Sequence, residues 1–349
     1  MLKKNFKKFG GMISENSDQF SKINLVLKKN DLTFSHGRSA IIWLIKNNSF
    51  KHCLMCNYTW PAIPELMKTL HLKFSFYDLF EQDKDIEKRI KKIDGKILLI
   101  VSVFYGFKTW INYSKIEKNF KDKVYILIDG AQTAYAFKKY DIPKNGAILS
   151  CPHKSLDIND GAVLRMSKLS SKQRESYKQL EIENSFYKYK KKSRKLINSG
   201  NLNLELKGLK ISKKLEETWK SFPEKKMSKN SLIKFIKIDE KHHEKKRLRN
   251  FNYLKKKLIK YNFFPKYLRG GCPFGFPILT KKRDKLIKML HQERIYATPL
   301  WNKNKYVKKK FKNSYKYKNH FLSLPIDQRY NLNDLEIMSL RFKKAFEKI

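Results

Sequence analysis

The sequence is poor in acidic residues relative to basic ones. Asp and Glu total 32 against 78 Lys and Arg, so the formal net charge is +46. Such an excess suggests a protein that binds nucleic acid or another polyanion. Lysine is nevertheless spread from Lys3 to Lys348 and accompanies many Asn, Ile, Phe and Tyr residues, the set that A/T-rich codons favour. Because the sequence shows no arginine-rich motif for reading bases, we predict no specific nucleic-acid partner.

Cysteine is scarce as well, with four residues in 349, which excludes a disulfide framework. Cys53 and Cys56 form a C-x-x-C pair, a pattern that indicates zinc or redox chemistry in other proteins. Residues 52–58 are typical of a strand, on which positions three apart face opposite sides. We therefore predict no metal site and no redox site.

Long apolar runs are missing too. None approaches the roughly 18 residues that a membrane-spanning helix needs, and the basic residues 1–8 are not followed by the apolar segment of a secretory signal. We therefore expect a cytoplasmic protein without a membrane span.

Short apolar runs bounded by polar or turn residues are present, and they are typical of buried strands in an α/β sheet. They cover residues 96–105, 124–129, 146–151 and 161–166. This alternating pattern predicts a large domain over residues 1–185. Residues 186–237 form a basic and irregular connecting segment, and residues 238–349 predict a small C-terminal α/β domain. Its expected elements are helices over 240–261, 282–292 and 332–348 and a strand over 273–279.

Two of these runs end close to residues with complementary chemistry. Asp129 closes the second run, and Lys154 follows the third. Separately, an Asp in that place is usually a turn or capping residue, and a lysine is usually a solvated charge. Together they are the pair that binds pyridoxal phosphate (PLP): the lysine forms a Schiff base with the aldehyde, and the carboxylate keeps the pyridine nitrogen protonated. Both would lie at carboxyl ends of strands, where α/β sheets bind ligands.

The phosphate of such a cofactor needs backbone N–H donors at the start of a helix. Gly37, Arg38 and Ser39 precede the apolar residues 40–45 and would supply this turn, although an ordinary helix cap has the same pattern. Trp60 follows a predicted strand and would stack on the pyridine ring, unless it is a core or surface residue.

The order of these motifs resembles the DegT/DnrJ/EryC1/StrS family of sugar aminotransferases. The resemblance extends over residues 30–345 and depends on Gly37-Arg38-Ser39-Ala40, Tyr58-Thr59-Trp60-Pro61-Ala62, Tyr105-Gly106, Asp129-Gly130-Ala131-Gln132, Lys154, Asp160-Gly161-Ala162 and the C-terminal segments 247–254, 276–278, 295–301 and 322–326.

This resemblance implies the PLP-dependent transferase fold type I, with a large three-layer αβα domain, a mainly parallel sheet and a small α/β domain. It implies Lys154 and Asp129 as catalytic residues. Cofactor contacts are implied for Gly37, Arg38, Ser39, Trp60, Asp129, Gln132, Ser150 and Lys154. It further implies a homodimer that moves an amino group from an amino acid, usually L-glutamate, to a nucleotide-linked keto-sugar for surface polysaccharide synthesis.

Two alternatives stay open at this point. His153 beside Lys154 also resembles cysteine desulfurases, whose nucleophilic cysteine would have to be Cys272, the last one in the chain. A non-catalytic basic binding protein on a decayed transferase scaffold is the other alternative, and it predicts no cofactor and strongly salt-dependent binding to nucleic acid.

Overall fold

The computed structural model describes residues 7–13, 20, 25–218, 224–261, 270–301 and 304–349. Its strands are β1 Phe9–Gly10, β2 Asp31–Phe34, β3 His52–Cys56, β4 Lys73–Tyr77, β5 Ile97–Ser102, β6 Val124–Gly130, β7 Gly146–Ser150, β8 Ala162–Met166, β9 Phe276–Leu279, β10 Ile295–Tyr296, β11 Thr298–Pro299 and β12 Phe321–Leu324. Its helices are α1 Gly37–Lys46, α2 Ala62–Thr69, α3 Asp83–Lys91, α4 Tyr113–Asn119, α5 Ala136–Lys139, α6 Ser171–Lys178, α7 Ser185–Ile197, α8 Leu202–Thr218, α9 Lys229–Lys237, α10 Glu240–Leu258, α11 Arg283–Gln292, α12 Lys312–Tyr317 and α13 Leu332–Glu347.

A seven-stranded sheet forms the centre of the larger part, with strand order β2-β8-β7-β6-β5-β3-β4. The strands from β7 to β4 are parallel to one another, whereas β8 is antiparallel to both of its neighbours. Strand β5 is buried along its whole length, which explains why its sequence is continuously apolar rather than alternating. The four strands predicted from the apolar runs are confirmed as β5, β6, β7 and β8, and so is the mainly parallel sheet.

Helices cover both faces of this sheet. Helices α1 and α2 pack with one apolar cluster, and α3, α4 and α5 pack with the other. Cys53 belongs to the first cluster and Cys56 to the second, so the two thiols face opposite sides of β3. The strand geometry predicted for this C-x-x-C pair is confirmed.

The C-terminal part has a small antiparallel sheet with strand order β11-β12-β9. Helices α10 and α11 both pack against α13, and the short β1 pairs in parallel with β10. The predicted elements of this part are confirmed as α10, β9, α11 and α13, with ends that differ by a few residues at most. The pairing of β1 with β10 brings the start of the described chain to the C-terminal part.

The segment 186–237 was expected to be irregular, and this expectation is wrong for its described residues. They form most of α7, α8 and α9. Helix α7 buries Phe186, Arg194 and Ile197 at helical spacing, and a side chain at Gly208 of α8 would come within 2.8 Å of Ile197. The density of lysine hides this pattern, because the buried face is narrow and includes an arginine. The domain boundaries at residues 185 and 237 stay predictions.

Among the residues that the structure describes, no helix combines the length and the apolar character needed to cross a bilayer.

Candidate active site

A cavity of about 530 Å³ lies beside the carboxyl ends of the central parallel strands. Asp129 is the penultimate residue of β6, and Lys154 ends a short 3-10 turn that follows β7. Both residues line the cavity, together with segments of the C-terminal part between Tyr296 and Trp301. The parallel sheet therefore brings the two predicted catalytic residues to one site, as expected for a ligand at the strand ends.

Opposing effects act on the carboxyl group of Asp129. Removal from bulk water keeps its pKa above the usual value, although the positive charge of Lys154 and a backbone hydrogen bond act to lower it. That bond is donated by the amide of Ala131 to Oδ1 at 3.1 Å. The amine of Lys154 and the carboxyl group of Asp129 therefore lie in the same cavity, close enough for the charge of Lys154 to favour the ionised form of Asp129.

Trp60 forms an aromatic wall between two cations. The amine of Lys154 lies 5.7 Å from the centroid of its ring, and the guanidinium carbon of Arg38 lies 5.1 Å from it. Both distances fall in the range of cation–π contacts. Trp60 and Arg38 line the cavity, so the predicted ring-covering residue and a predicted phosphate contact lie beside the lysine.

Helix α1 begins at the cavity. His36 caps it: Nδ1 accepts a hydrogen bond from the amide of Ser39 at 3.0 Å. Burial and, to a smaller extent, the charge of Arg38 lower the pKa of His36 to about 3, so the ring is a neutral acceptor. A side chain at Gly37 would come within 2.8 Å of the sulfur of Cys151, so glycine permits close packing of the helix start against the end of β7.

Two predicted cofactor contacts are not among the described residues that line the cavity. The hydroxyl of Ser39 pairs with that of Ser35 at 3.2 Å. The hydroxyl of Ser150 accepts a hydrogen bond from the amide of Phe137 at 3.2 Å, because strand alternation turns Ser150 away from the side on which Leu149 faces the cavity. Roles for Ser39 and Ser150 in cofactor binding stay predictions.

Gln132 fastens the loop after β6 to the segment after β5. Its side-chain oxygen accepts a hydrogen bond from the amide of Tyr105 at 2.6 Å. Tyr105 has a φ of 53°, in the left-handed region, and the glycine after it has a φ of 80°. The contact holds both loops at the cavity. It uses the side-chain oxygen of Gln132, whereas the side-chain nitrogen is the hydrogen-bond donor of this residue.

Ser102 lines the cavity as well, although the sequence analysis did not predict it as a site residue. It is the register partner of Asp129 in the neighbouring strand, so both side chains point to the same face of the sheet. Ser102 is buried, and its hydroxyl has no hydrogen-bond partner among the described residues. Such a buried polar atom beside a cavity is typical of a site that a ligand completes. Ser102 could have been predicted from the sequence, because it is a polar residue at the end of an apolar strand that neighbours the strand of Asp129.

His153 is a neutral residue of the cavity wall. Its Nδ1–H donates a hydrogen bond to the carbonyl of Gly161 at 2.6 Å. Burial, aided by the charges of nearby lysines, lowers its pKa to about 3. Its ring is therefore fixed by the backbone rather than by a carboxylate.

Cys272, the nucleophile that a desulfurase would require, is buried and is not among the residues that line the cavity. Burial raises the pKa of its thiol to about 12, which disfavours the reactive thiolate. The residue before it approaches Gly106 so closely that a Cβ at Gly271 would lie 2.1 Å from the Gly106 carbonyl oxygen. This packing fixes the position of Cys272 in a tight turn.

Solved structures of aminotransferases have the same fold. PseC of Helicobacter pylori, an aminotransferase involved in the biosynthesis of pseudoaminic acid, is 15% identical, with a TM-score of 0.63 over 98% of this chain and 100% of that one. A DegT DnrJ EryC1 StrS aminotransferase from Brucella abortus is 14% identical, with a TM-score of 0.58 over 90% of this chain and 85% of its own.

Spr1654 of Streptococcus pneumoniae in its PMP form, described as a sugar aminotransferase, is 9% identical, with a TM-score of 0.64 over 91% of this chain and 88% of that one. No protein-family model and no curated protein matches the sequence. The chain therefore has the fold of the DegT/DnrJ/EryC1/StrS aminotransferases, as the sequence resemblance predicted.

Proposed function

We propose that this protein is a PLP-dependent aminotransferase that transfers an amino group from an amino acid to a nucleotide-linked keto-sugar. The observation that carries the proposal is the shared cavity of Asp129 and Lys154, at the carboxyl ends of the strands where this fold places its ligand. The fold of the sugar aminotransferases named above supports the same reaction class.

The cavity fits the chemical groups of PLP. The unpartnered hydroxyl of Ser102 and the carboxylate of Asp129 face the same side, where a pyridinium nitrogen would find its acceptor. Trp60 offers a flat ring beside Lys154. The start of α1 and the guanidinium of Arg38 offer positive charge for a phosphate.

Two residues have defined tasks in this proposal. When bound, PLP supplies an electron-accepting ring that stabilises negative charge at the amino-acid α-carbon. The amine of Lys154 would take the proton from that carbon and deliver it to carbon C4′ of the cofactor, which requires an amine that is free to move inside the cavity. The carboxylate of Asp129 holds a proton on the pyridine nitrogen, and it stays in place through the amide of Ala131.

The sugar acceptor, the L-glutamate donor and the homodimer belong to this proposal as well. Support for a sugar acceptor comes from the fold neighbours that are described as sugar aminotransferases. A role in surface polysaccharide synthesis and a cytoplasmic location agree with a nucleotide-linked acceptor.

The test is a spectroscopic titration. Purified protein is mixed with PLP, its near-ultraviolet and visible absorption is recorded, and L-glutamate is then added. We expect a lysine-bound PLP band that converts to the pyridoxamine form, while Lys154→Ala shows neither the band nor the conversion. Lys168→Ala, which removes an exposed lysine, is the matched control and should behave like the wild type.

Other results would change the conclusion. A band that ignores L-glutamate and responds to L-cysteine would replace the transaminase by a desulfurase. A Lys154→Ala protein with wild-type conversion would refute the site, and a protein that binds no PLP at all would favour the basic binding protein.

A further inference from the structure

A second concave surface lies at the edge of the central sheet opposite the active site. This groove has a volume of about 1540 Å³, against about 530 Å³ for the cavity of Asp129 and Lys154. It lies where the parallel strands begin: Lys96 precedes β5, Tyr125 is the second residue of β6, and Asn145 precedes β7. The seven residues of β6 separate the two edges by roughly 20 Å. The groove is therefore distinct from the proposed active site.

Positive charge dominates the lining of this groove. Eight lysine and arginine residues line it against two acidic residues, whereas the whole chain has 78 against 32. One of the two acidic residues, Glu117, accepts a hydrogen bond from the amide of Asn145 at 2.6 Å. The only arginine of the lining is Arg165, and Asp31 engages its guanidinium at 2.6 and 2.7 Å. The charge that a ligand would meet therefore comes from lysines.

These lysines have no acidic partner in the part of the chain that the structure describes. None of them forms an ion pair with a carboxylate there. Several are exposed and come from separate segments, with Lys28 and Lys29 before β2, Lys118 in α4 and Lys144 before β7. Like charges around a concave surface repel one another and attract anions strongly. The groove is thus suited to a ligand with several negative charges.

Tyr125 gives a second and independent indication of a ligand. Its side chain is 5% exposed and lines the groove, and its hydroxyl has no hydrogen-bond partner among the described residues. The ring of Tyr125 packs against Phe50, with centroids 5.4 Å apart. The amine of Lys96 lies 5.5 Å from the Phe50 centroid and 6.0 Å from that of Tyr125, within the range of cation–π contacts. These contacts hold a cation beside a hydroxyl that is available as a donor.

The groove also has apolar lining residues. Ile142, Pro143 and Met166 belong to it, and Ile142 is 37% exposed. A chain of inorganic phosphates has no apolar part, whereas a strand of nucleic acid alternates phosphates with flat bases. In a single strand the faces of these bases are accessible to protein side chains. The combination of lysines and apolar residues therefore favours single-stranded nucleic acid.

We propose that this groove binds a single strand of nucleic acid through its phosphates, whatever the base sequence. Lysine binds a phosphate as a point charge, whereas base edges are commonly read by an oriented guanidinium. Because Asp31 engages the guanidinium of Arg165, the lysines contact the backbone, and the hydroxyl of Tyr125 donates to a phosphate oxygen. The lack of an arginine-rich motif in the sequence agrees with this mode. The inference does not depend on the proposed transamination.

The experiment measures binding of a fluorescein-labelled oligothymidylate of about 12 nucleotides to the full-length, PLP-loaded protein. Fluorescence anisotropy is recorded between about 50 and 200 mM salt. The triple variant Lys96→Gln, Lys118→Gln, Lys144→Gln removes three charges of the groove. We expect it to bind about tenfold more weakly or worse, and the slope of log affinity against log salt to fall by about 2, since each lysine–phosphate contact with a single strand contributes about 0.7.

A matched control separates the groove from the net charge of the chain. The triple variant Lys255→Gln, Lys256→Gln, Lys288→Gln removes the same charge from exposed positions of α10 and α11. It should bind within about twofold of the wild type with the same salt slope. Tyr125→Phe keeps the ring and removes only the hydroxyl without a partner, so it should bind about threefold more weakly.

Three results would overturn the proposal. Equal losses in the two triple variants would mean that diffuse charge binds the oligonucleotide. A duplex of the same length that binds as tightly as the single strand would exclude the single strand as the preferred occupant. Inorganic polyphosphate that displaces the labelled strand better than unlabelled oligothymidylate, at equal phosphate concentration, would show that phosphate charge alone is recognised.

Discussion

Lys154 and Trp60 face one another in the cavity, with the lysine amine 5.7 Å from the centroid of the indole ring. Lys154 follows β7 and Trp60 follows β3, so the contact joins two loops at the same edge of the sheet. An aromatic face attracts a nearby cation, and the same face is available to a flat ligand. This relationship makes Trp60 the most direct probe of ligand stacking.

Trp60→Ala should weaken PLP binding by about tenfold, since loss of one stacking contact costs about 1–2 kcal/mol. Trp60→Phe keeps a flat ring and should stay within about threefold of the wild type. The PLP dissociation constant of each variant would be measured by titration, with the absorption of bound PLP as a signal that does not depend on tryptophan. Equal and large losses in the two variants would mean that the indole acts through packing of its larger body and not through stacking.

Asp129→Asn should leave PLP bound and slow the transfer. The amide is nearly isosteric and can still accept the hydrogen bond from Ala131, but it lacks the charge that holds the pyridine nitrogen protonated. We expect a loss of about two orders of magnitude or more in the single-turnover rate with L-glutamate, as for removal of other charge-stabilising groups. A rate within a few-fold of the wild type would show that Asp129 does not contact the ring nitrogen.

Gly37→Ala tests the close packing between α1 and β7. The new methyl group would lie 2.8 Å from the Cys151 sulfur and 3.5 Å from Cδ2 of Leu149, so we expect a loss of about 1–3 kcal/mol in the free energy of unfolding. In a Cys151→Ala background the sulfur is gone, and the penalty should fall below about 1 kcal/mol. Urea denaturation of the four proteins gives the comparison. The same penalty in both backgrounds would locate the clash elsewhere.

Because the pKa of His153 is low in the folded protein, we predict that the free energy of unfolding depends on pH. Burial lowers its pKa from 6.5 to about 3, so between these values the unfolded chain binds a proton that the folded protein does not. Stability should therefore fall as the pH decreases below 6.5, by up to about 1.4 kcal/mol per pH unit for this residue.

His153→Asn removes this titration and retains a donor toward the Gly161 carbonyl. Its unfolding free energy, measured in urea between pH 4 and 7, should change less steeply with pH than that of the wild type by about one bound proton. Parallel pH profiles of the two proteins would show that His153 is not neutral in the folded state.

Much of the site could be predicted from the sequence, because its residues are adjacent to strong local patterns of apolar residues. The apolar runs that became β5, β6 and β7 are buried on both faces of a parallel sheet, so their composition alone marked them. Asp129 closes one such run and Lys154 follows another, so both are predicted at the ends of strands.

Other features could not be predicted from the sequence, because they depend on the direction in which side chains point. Ser150 lies in the predicted strand, but the alternation of β7 turns its hydroxyl to the amide of Phe137, and a run of buried residues gives no sign of which side faces a cavity. The helices α7, α8 and α9 were missed because their lysine-rich surfaces mask a narrow buried face.

The α/β class, the positions of the main strands and the pair Asp129 and Lys154 could be predicted from the sequence, because they follow from local periodicity and residue chemistry. The tertiary structure was needed to show that Ser102 lies beside Asp129, that Trp60 lies between two cations, and that Arg247 of α10 is buried and lines the same cavity. These relationships join residues from strands and helices far apart in the chain, so they arise from packing, and no local pattern encodes them.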